Sequence, residues 1–148
     1  MVAPALDGGV LEFLRLLWAV DHGLHQHSKR MSEKLGVTGV QRFVIRMIGR
    51  RGSLTPGELA EDLHLHPSTL TGVIRRLEQA GFIAMAVDPL DHRRRRLALT
   101  RRGRRIDGTR QGTVERQIEL ALARLEPDEL AAARRALAAL GQQLADGT

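Results

Sequence analysis

Four consecutive arginines, Arg93 to Arg96, stand in the stretch DPLDHRRRRLALT, between two aspartates and an alternating apolar run. Crowded guanidinium groups repel one another unless an anion compensates them, and their fork matches phosphate oxygens or the O6/N7 edge of guanine. The chain carries 23 basic and 17 acidic residues, a net charge of +6. Between Asp88 and Arg105 lie eight arginines and two aspartates, so the whole excess resides in that window. Such a local field attracts a polyanion, and double-stranded DNA is the expected partner. An anionic membrane surface is the alternative, but membrane-surface helices set their basic residues opposite a broad apolar face, and these arginines precede a strand. Arg93, Arg94 and Arg95 are therefore candidate contacts to phosphates or a minor groove. Asp91 would be repelled by phosphate, so its expected work is to brace Arg93 or a neighbour by an ion pair.

A second set of candidates lies upstream, in PSTLTGVIRRLEQ. At 100° per residue, Leu70, Val73, Ile74 and Leu77 fall within an arc of about 100°. The opposite side carries Ser68, Thr69, Thr71, Gly72, Arg75 and Arg76. Exposed helix positions ordinarily hold Glu, Lys or Gln, and Gly costs up to ~1 kcal/mol relative to Ala. Hydroxyls and arginines around a glycine suit a helix pressed into a major groove, where hydroxyls meet phosphates or base edges and Arg75 forks onto guanine. The competing explanation for Gly72 is the close approach of another helix.

Histidines supply a third possible chemistry. His22, His25 and His27 lie in DHGLHQH, and His64 and His66 in HLH. Spacing of i, i+3 puts His22 and His25 on one helix face, so His22, His25, His64 and His66 form a candidate zinc cluster. The sequence has no HExxH pattern, no Cys and no ligand-spaced carboxylate beyond Asp21. It also lacks a G-x-S-x-G elbow, a Walker loop and a G-x-G-x-x-G stretch. No metal, cofactor or catalytic residue is expected, and the protein reads as a non-enzyme. An arginine-rich loop that contacts an acidic protein is the third reading.

The elements that must position these residues are legible from periodicity and caps. Leu11, Leu14, Leu17, Trp18, Met31 and Leu35 predict a long first helix stopped by Gly36. Thr38 with Gln41, and Thr55 with Glu58, are capping-box pairs opening a second helix that ends near Arg50 and a third over Pro56–Leu63, with Pro56 at its first position. Pro67 opens a fourth helix, closed by Gly81. Phe82 to Val87 and Leu97 to Thr100 read as two short strands joined by the charged loop, with Leu97 and Leu99 fastening the return strand to the core. Two helices, a short turn and a hairpin make a winged helix-turn-helix, so the fold class is mainly α (α+β). Val114, Ile118, Ala121, Leu122 and Leu125, and then Leu130, Ala133, Leu137, Leu140 and Leu144, give two further helices with the spacing of a two-helix seam. Their apolar faces, with that of the first helix, exceed what a small domain covers and predict a homodimer. Without Cys, a leader-like N-terminus or an apolar run of ~18 residues, the protein is expected to be cytoplasmic.

These stretches resemble the MarR family of bacterial regulators. DHRRRRLALT is similar to its wing signature through Asp91, Arg93, Leu99 and Thr100. LTPGELAEDLHLHPSTLTGVIRRLEQAGFI resembles its helix-turn-helix, and GVTGVQRFVIRMIGRRG its preceding helix. The resemblance implies a single MarR-like domain over 1–148, with the DNA-binding part at 38–100 and dimerisation helices at 9–36 and 101–146. It further implies a homodimeric transcriptional regulator, commonly a repressor, on a pseudo-palindromic operator, released by a small anionic or aromatic effector. The family's pocket lies where the first and second helices meet the start of the fifth, which makes Trp18, His22, His25 and Arg46 the candidate effector residues. The missing Cys departs from the peroxide-sensing branch, and few aromatic residues are on offer to an aromatic effector.

Overall fold

The computed structural model describes residues 7–147; the leaderless reading of the N-terminus concerns residues that lie outside these. The chain divides into two compact units, Met1–Val114 and Glu115–Thr148. In the first, the elements are α1 (Asp7–Leu35), α2 (Gly39–Arg51), α3 (Pro56–Leu63), α4 (Pro67–Gln79), β1 (Ile83–Val87), β2 (Arg95–Leu99) and α5 (Arg101–Gly108), and α6 (Val114–Leu122) begins at its end. The second holds most of α6 and α7 (Pro127–Asp146).

Local hydrogen bonds set the helix starts. Thr38 Oγ1 accepts from Gln41 N while Gln41 Oε1 accepts from Thr38 N. Thr55 and Glu58 repeat the exchange at α3, with Pro56 at its first position. Each such cap contributes about 1 kcal/mol. At α4 the cap is His66, whose Nδ1 accepts from Ser68 N. Gly81, at φ +76°, reverses the chain behind α4, and Phe82 N donates back to Leu77 O.

The core collects Val44, Ile45 and Ile48 of α2, Leu59 and Leu63 of α3, and Leu70, Val73, Ile74 and Leu77 of α4, closed by Phe82, Ile83 and Leu97. β1 and β2 pair antiparallel from Ile83 opposite Leu99 to Val87 opposite Arg95. Leu54 adds a bridge on the other side of Leu97, donating to and accepting from its backbone. Leu97 is fully buried, and Leu99 is partly buried against the core.

Three boundaries differ from expectation. The first strand starts at Ile83 because Phe82 is spent in the turn behind α4. The second covers Arg95–Leu99 because the turn closes between Asp88 and Arg94, which leaves Arg95 and Arg96 in the ladder. Thr100 has left the strand to cap α5: its Oγ1 accepts from Gly103 N and donates to Gly81 O. The stretch after Thr100, read above with the dimerisation helices, therefore opens with a separate short helix that packs on the winged core. Gly103 is what permits this, since a Cβ there would lie 2.0 Å from Phe82 O.

No described residue of α6 or α7 is fully buried. On α7, Leu130, Ala133 and Leu140 are half-buried, while Leu137 and Leu144 are exposed. Met31 is the one fully buried residue among the described side chains of α1, and Leu11, Phe13, Leu16, Trp18, Val20 and Leu24 are exposed. Among the described residues no helix is long and apolar enough to cross a membrane.

Candidate nucleic-acid interface

α4 presents two chemically opposite sides. Leu70, Val73, Ile74 and Leu77 are buried, each fixing the helix with about 1.5–3 kcal/mol of apolar burial. Ser68, Thr69, Thr71, Arg75 and Arg76 are exposed on the other side, with Gly72 between them. A Cβ built on Gly72 would meet nothing within 4 Å, so helix packing does not account for the glycine. Thr71 Oγ1 donates to Pro67 O at 2.8 Å, and Ser68 Oγ lies 2.7 Å from His66 Nδ1. The hydroxyls are thus oriented by the helix start, while Arg75 and Arg76 have no side-chain partner among the described residues.

The wing turn is held by two carboxylates. Asp88 N donates to Arg94 O, and Arg94 N to Asp91 O. Asp88 Oδ1 accepts from Leu90 N at 2.9 Å, and Asp91 Oδ1 from Arg93 N at 3.0 Å. Asp91 also stands 3.7 Å from Arg94 Nε. Asp91 thus holds backbone at Arg93 and charge at Arg94. The Arg93 side chain makes no hydrogen bond or ion pair among the described residues, and Arg95 Nη1 reaches only Met85 Sδ, at 3.9 Å. The turn therefore carries weakly neutralised guanidinium groups on a hydrogen-bonded backbone.

Sequence reasoning passed over three residues. Asp88 is 8 % exposed; its signal is an Asp-Pro pair at a turn, where Asx side chains bond the backbone two residues on. Arg96, the fourth arginine, is tied inward: Nε donates to Ser53 Oγ at 2.9 Å and Nη2 to Ser53 O at 3.1 Å. The carboxylates of Glu58 and Asp88 stand 3.7 and 3.6 Å from its guanidinium. Glu58 is held below its ordinary carboxylate value chiefly by the hydrogen bond from Thr55 N–H; burial opposes this, and Arg96 and then Arg51 add smaller attractions. Arg42 is 2 % exposed, and its guanidinium donates to the carbonyls of Ile106, Asp107 and Thr109 at the end of α5. Nothing in the local sequence marks it.

The candidate effector residues are in different states. Trp18, His22 and His25 share one exposed stripe of α1. Gln26 Nε2 donates to His22 Nε2 at 2.8 Å, and His25 Nδ1 donates to Asp21 O at 2.9 Å. Arg46 on α2 is already paired, donating to Asp107 Oδ1 at 2.7 Å and to Asp107 O at 3.2 Å. A cavity of about 370 Å³ is lined by Met47, Arg50, Arg51 and Asp62, none of them an expected effector residue. The zinc cluster is not assembled: among the described residues no three His, Cys, Asp or Glu side chains come together around a metal position. His64 ends α3 in the left-handed conformation and His66 starts α4, so both serve helix ends.

Known proteins share the sequence pattern and the fold. The MarR family model matches residues 37–94, from the start of α2 through the wing turn. The chain is 41% identical over 71 residues to the HTH-type transcriptional repressor MdtR of Bacillus subtilis, covering 48% of this chain and 46% of that protein, less than half its length. It is 31% identical over 106 residues to the uncharacterized HTH-type transcriptional regulator YwhA of the same species, covering 68% of this chain and 71% of YwhA. The S. aureus MepR–DNA complex shares the fold at 21% identity, with a TM-score of 0.72 over 89% of this chain and 97% of MepR. With two thirds of a curated relative matched above 30% identity, and with the helix-turn-helix and arginine wing in the places described, the chain belongs to the MarR family, whose matched relatives are named as regulators of transcription and not as enzymes.

Proposed function

We propose that this protein is a transcriptional repressor that binds a pseudo-palindromic operator in double-stranded DNA as a homodimer and is released by a small ligand. The observation that carries the DNA-binding part is the outer face of α4. It is a row of hydroxyls, and of arginines without a side-chain partner among the described residues, around a glycine with open space before it, together with a wing turn whose guanidinium groups are weakly neutralised. Ser68, Thr69, Thr71, Gly72, Arg75 and Arg76 read or approach bases in the major groove. Arg93, Arg94 and Arg95 take phosphates or the minor groove, and Asp91 keeps the wing turn in shape. The similarity to MepR, solved in complex with DNA, supports the same docking.

Uncovered apolar faces support the dimer. Leu137 and Leu144 of α7, and Leu11 and Trp18 of α1, each expose 60–70% of their surface. A second copy covering these faces would place two recognition helices about one DNA turn apart, as a two-fold operator requires. An anionic or aromatic effector would stack on Trp18 and meet His22, His25 or Arg46. For Arg46 this means displacing Asp107, which couples ligand binding to the α2–α5 contact.

The test is a fluorescence-anisotropy titration of the DNA upstream of the protein's own gene at several salt concentrations, with sedimentation of the free protein alongside. Salt-sensitive, saturable binding by a dimer is the expected result. Absence of any preference over unrelated duplex, or a folded monomer at micromolar concentration, refutes the reading. For the effector, salicylate is titrated against wild type and Arg46→Ala while Trp18 fluorescence and DNA affinity are followed. Equal potency on both removes Arg46 from the site.

A further inference from the structure

We propose that Arg96 is a strut that sets the position of the wing relative to the helix-turn-helix and does not itself contact DNA, although it stands in the same run as Arg93, Arg94 and Arg95. This deepens the DNA-binding reading and rests on it. The inference follows from where the four groups around Arg96 come from. Ser53, which accepts from Nε and Nη2, belongs to the connection between α2 and α3. Glu58 is the third residue of α3 and closes its capping box. Asp88 opens the wing turn and holds Leu90 N. Arg96 itself lies in β2 opposite Ala86, one residue from Leu97, whose bridge to Leu54 ties the strand to the same connection. A single guanidinium thus joins the wing to the first helix of the helix-turn-helix, and α3 leads directly into α4.

Its electrostatics point the same way. Two carboxylates stand beside the Arg96 guanidinium, so its charge is already compensated within the molecule and it offers a phosphate little attraction. Among the described residues Arg93 has no carboxylate partner and Arg94 only Asp91, at 3.7 Å. The planar fork is what allows simultaneous contact with a hydroxyl, a carbonyl and two carboxylates, and a lysine ammonium would not span them.

Opposed signs make the proposal testable. Asp88→Asn removes a negative charge close to the DNA-binding surface. If Arg96 were a phosphate contact, freeing it in this way would tighten DNA binding. As a strut partner, Asp88→Asn weakens it, by about three- to tenfold, and adds little further loss on top of Arg96→Ala. Arg96→Lys separates the two roles again: a phosphate contact survives as a point charge, whereas the strut is lost and affinity falls nearly as far as in Arg96→Ala. Should Arg96→Ala fail to fold, Arg96→Lys and Asp88→Asn carry the comparison. Amide hydrogen exchange in the free protein supplies a readout that needs no DNA. Leu90 N–H, held by Asp88, exchanges faster in Arg96→Lys than in wild type, while amides within α4 do not change. Tighter DNA binding by Asp88→Asn, near-wild-type affinity of Arg96→Lys, or unaltered Leu90 exchange each overturns the strut. Wild-type protein that binds no DNA overturns the underlying reading instead, and the exchange result then still decides whether Arg96 holds the wing.

Discussion

The wing turn and the junction of α2 with α5 are both built on arginine and use it in opposite ways. At the junction, Arg42 is buried with its guanidinium on three backbone carbonyls at the end of α5, and Arg46 is paired with Asp107. Carbonyls at a helix C-terminus lack intrahelical partners, and the helix dipole makes that end negative. A cation there satisfies what the helix cannot satisfy itself. In the wing, backbone hydrogen bonds are completed by Asp88 and Asp91, so the side chains of Arg93 to Arg95 are not needed to hold the turn. What separates an arginine spent on the fold from one without such a partner among the described residues is thus whether the surrounding backbone still has acceptors to offer. By this criterion Arg96 sides with the junction, on Ser53, and Arg102 does too, donating to Ala80 O and lying 4.7 Å above the Phe82 ring.

The largest effect expected from this comparison is on stability. Arg42→Ala leaves buried carbonyls unsatisfied and should cost about 3 kcal/mol in urea unfolding, whereas Arg93→Ala should leave the midpoint unchanged. Equal midpoints for the two variants would break the distinction. Next comes DNA affinity. Arg75→Ala should lose about 1–3 kcal/mol of operator binding and relax sequence preference at one position of each half-site, read by competition with single-base operator variants. Arg93→Ala and Arg95→Ala should weaken all sequences alike and flatten the log–log salt dependence by about one unit per lost phosphate contact. A sequence-selective loss from either wing variant would place that arginine on bases.

The smallest effect is acid-dependent and concerns Glu58. Its carboxyl is held below the ordinary value of 4.5 in the folded chain. Its contribution is therefore complete above the unfolded-state value and is lost as pH falls through the lower folded value. Glu58→Gln keeps an acceptor for Thr55 N–H but not the attraction to Arg96 and Arg51. Its stability should consequently decline less steeply than wild type as pH is lowered through the carboxylate range, and parallel curves would remove Glu58 from the charge network.

Much of the helix-turn-helix was legible in the sequence because its determinants are local. Thr38 with Gln41 and Thr55 with Glu58 are three residues apart, and a hydrogen bond of that span depends only on the first helical turn. The buried side of α4 follows from helical spacing alone, and the residues left outside are those expected to meet DNA. Gly72 was ambiguous as a letter, since close packing and groove contact both call for a missing side chain. The open space beside it removes close packing among the described residues as the reason for the glycine.

The fates of the individual arginines were not legible. Ser53 lies 43 residues from Arg96, and Ile106 lies 64 residues from Arg42. Sequence alone placed a positive field on the wing and a polar face on α4, because charge and periodicity are properties of the chain itself. Only the tertiary structure decided which guanidinium groups are spent inside the molecule and which remain for a partner. That choice depends on where folding brings unsatisfied carbonyls and carboxylates, and such acceptors become neighbours of an arginine only once the elements have packed.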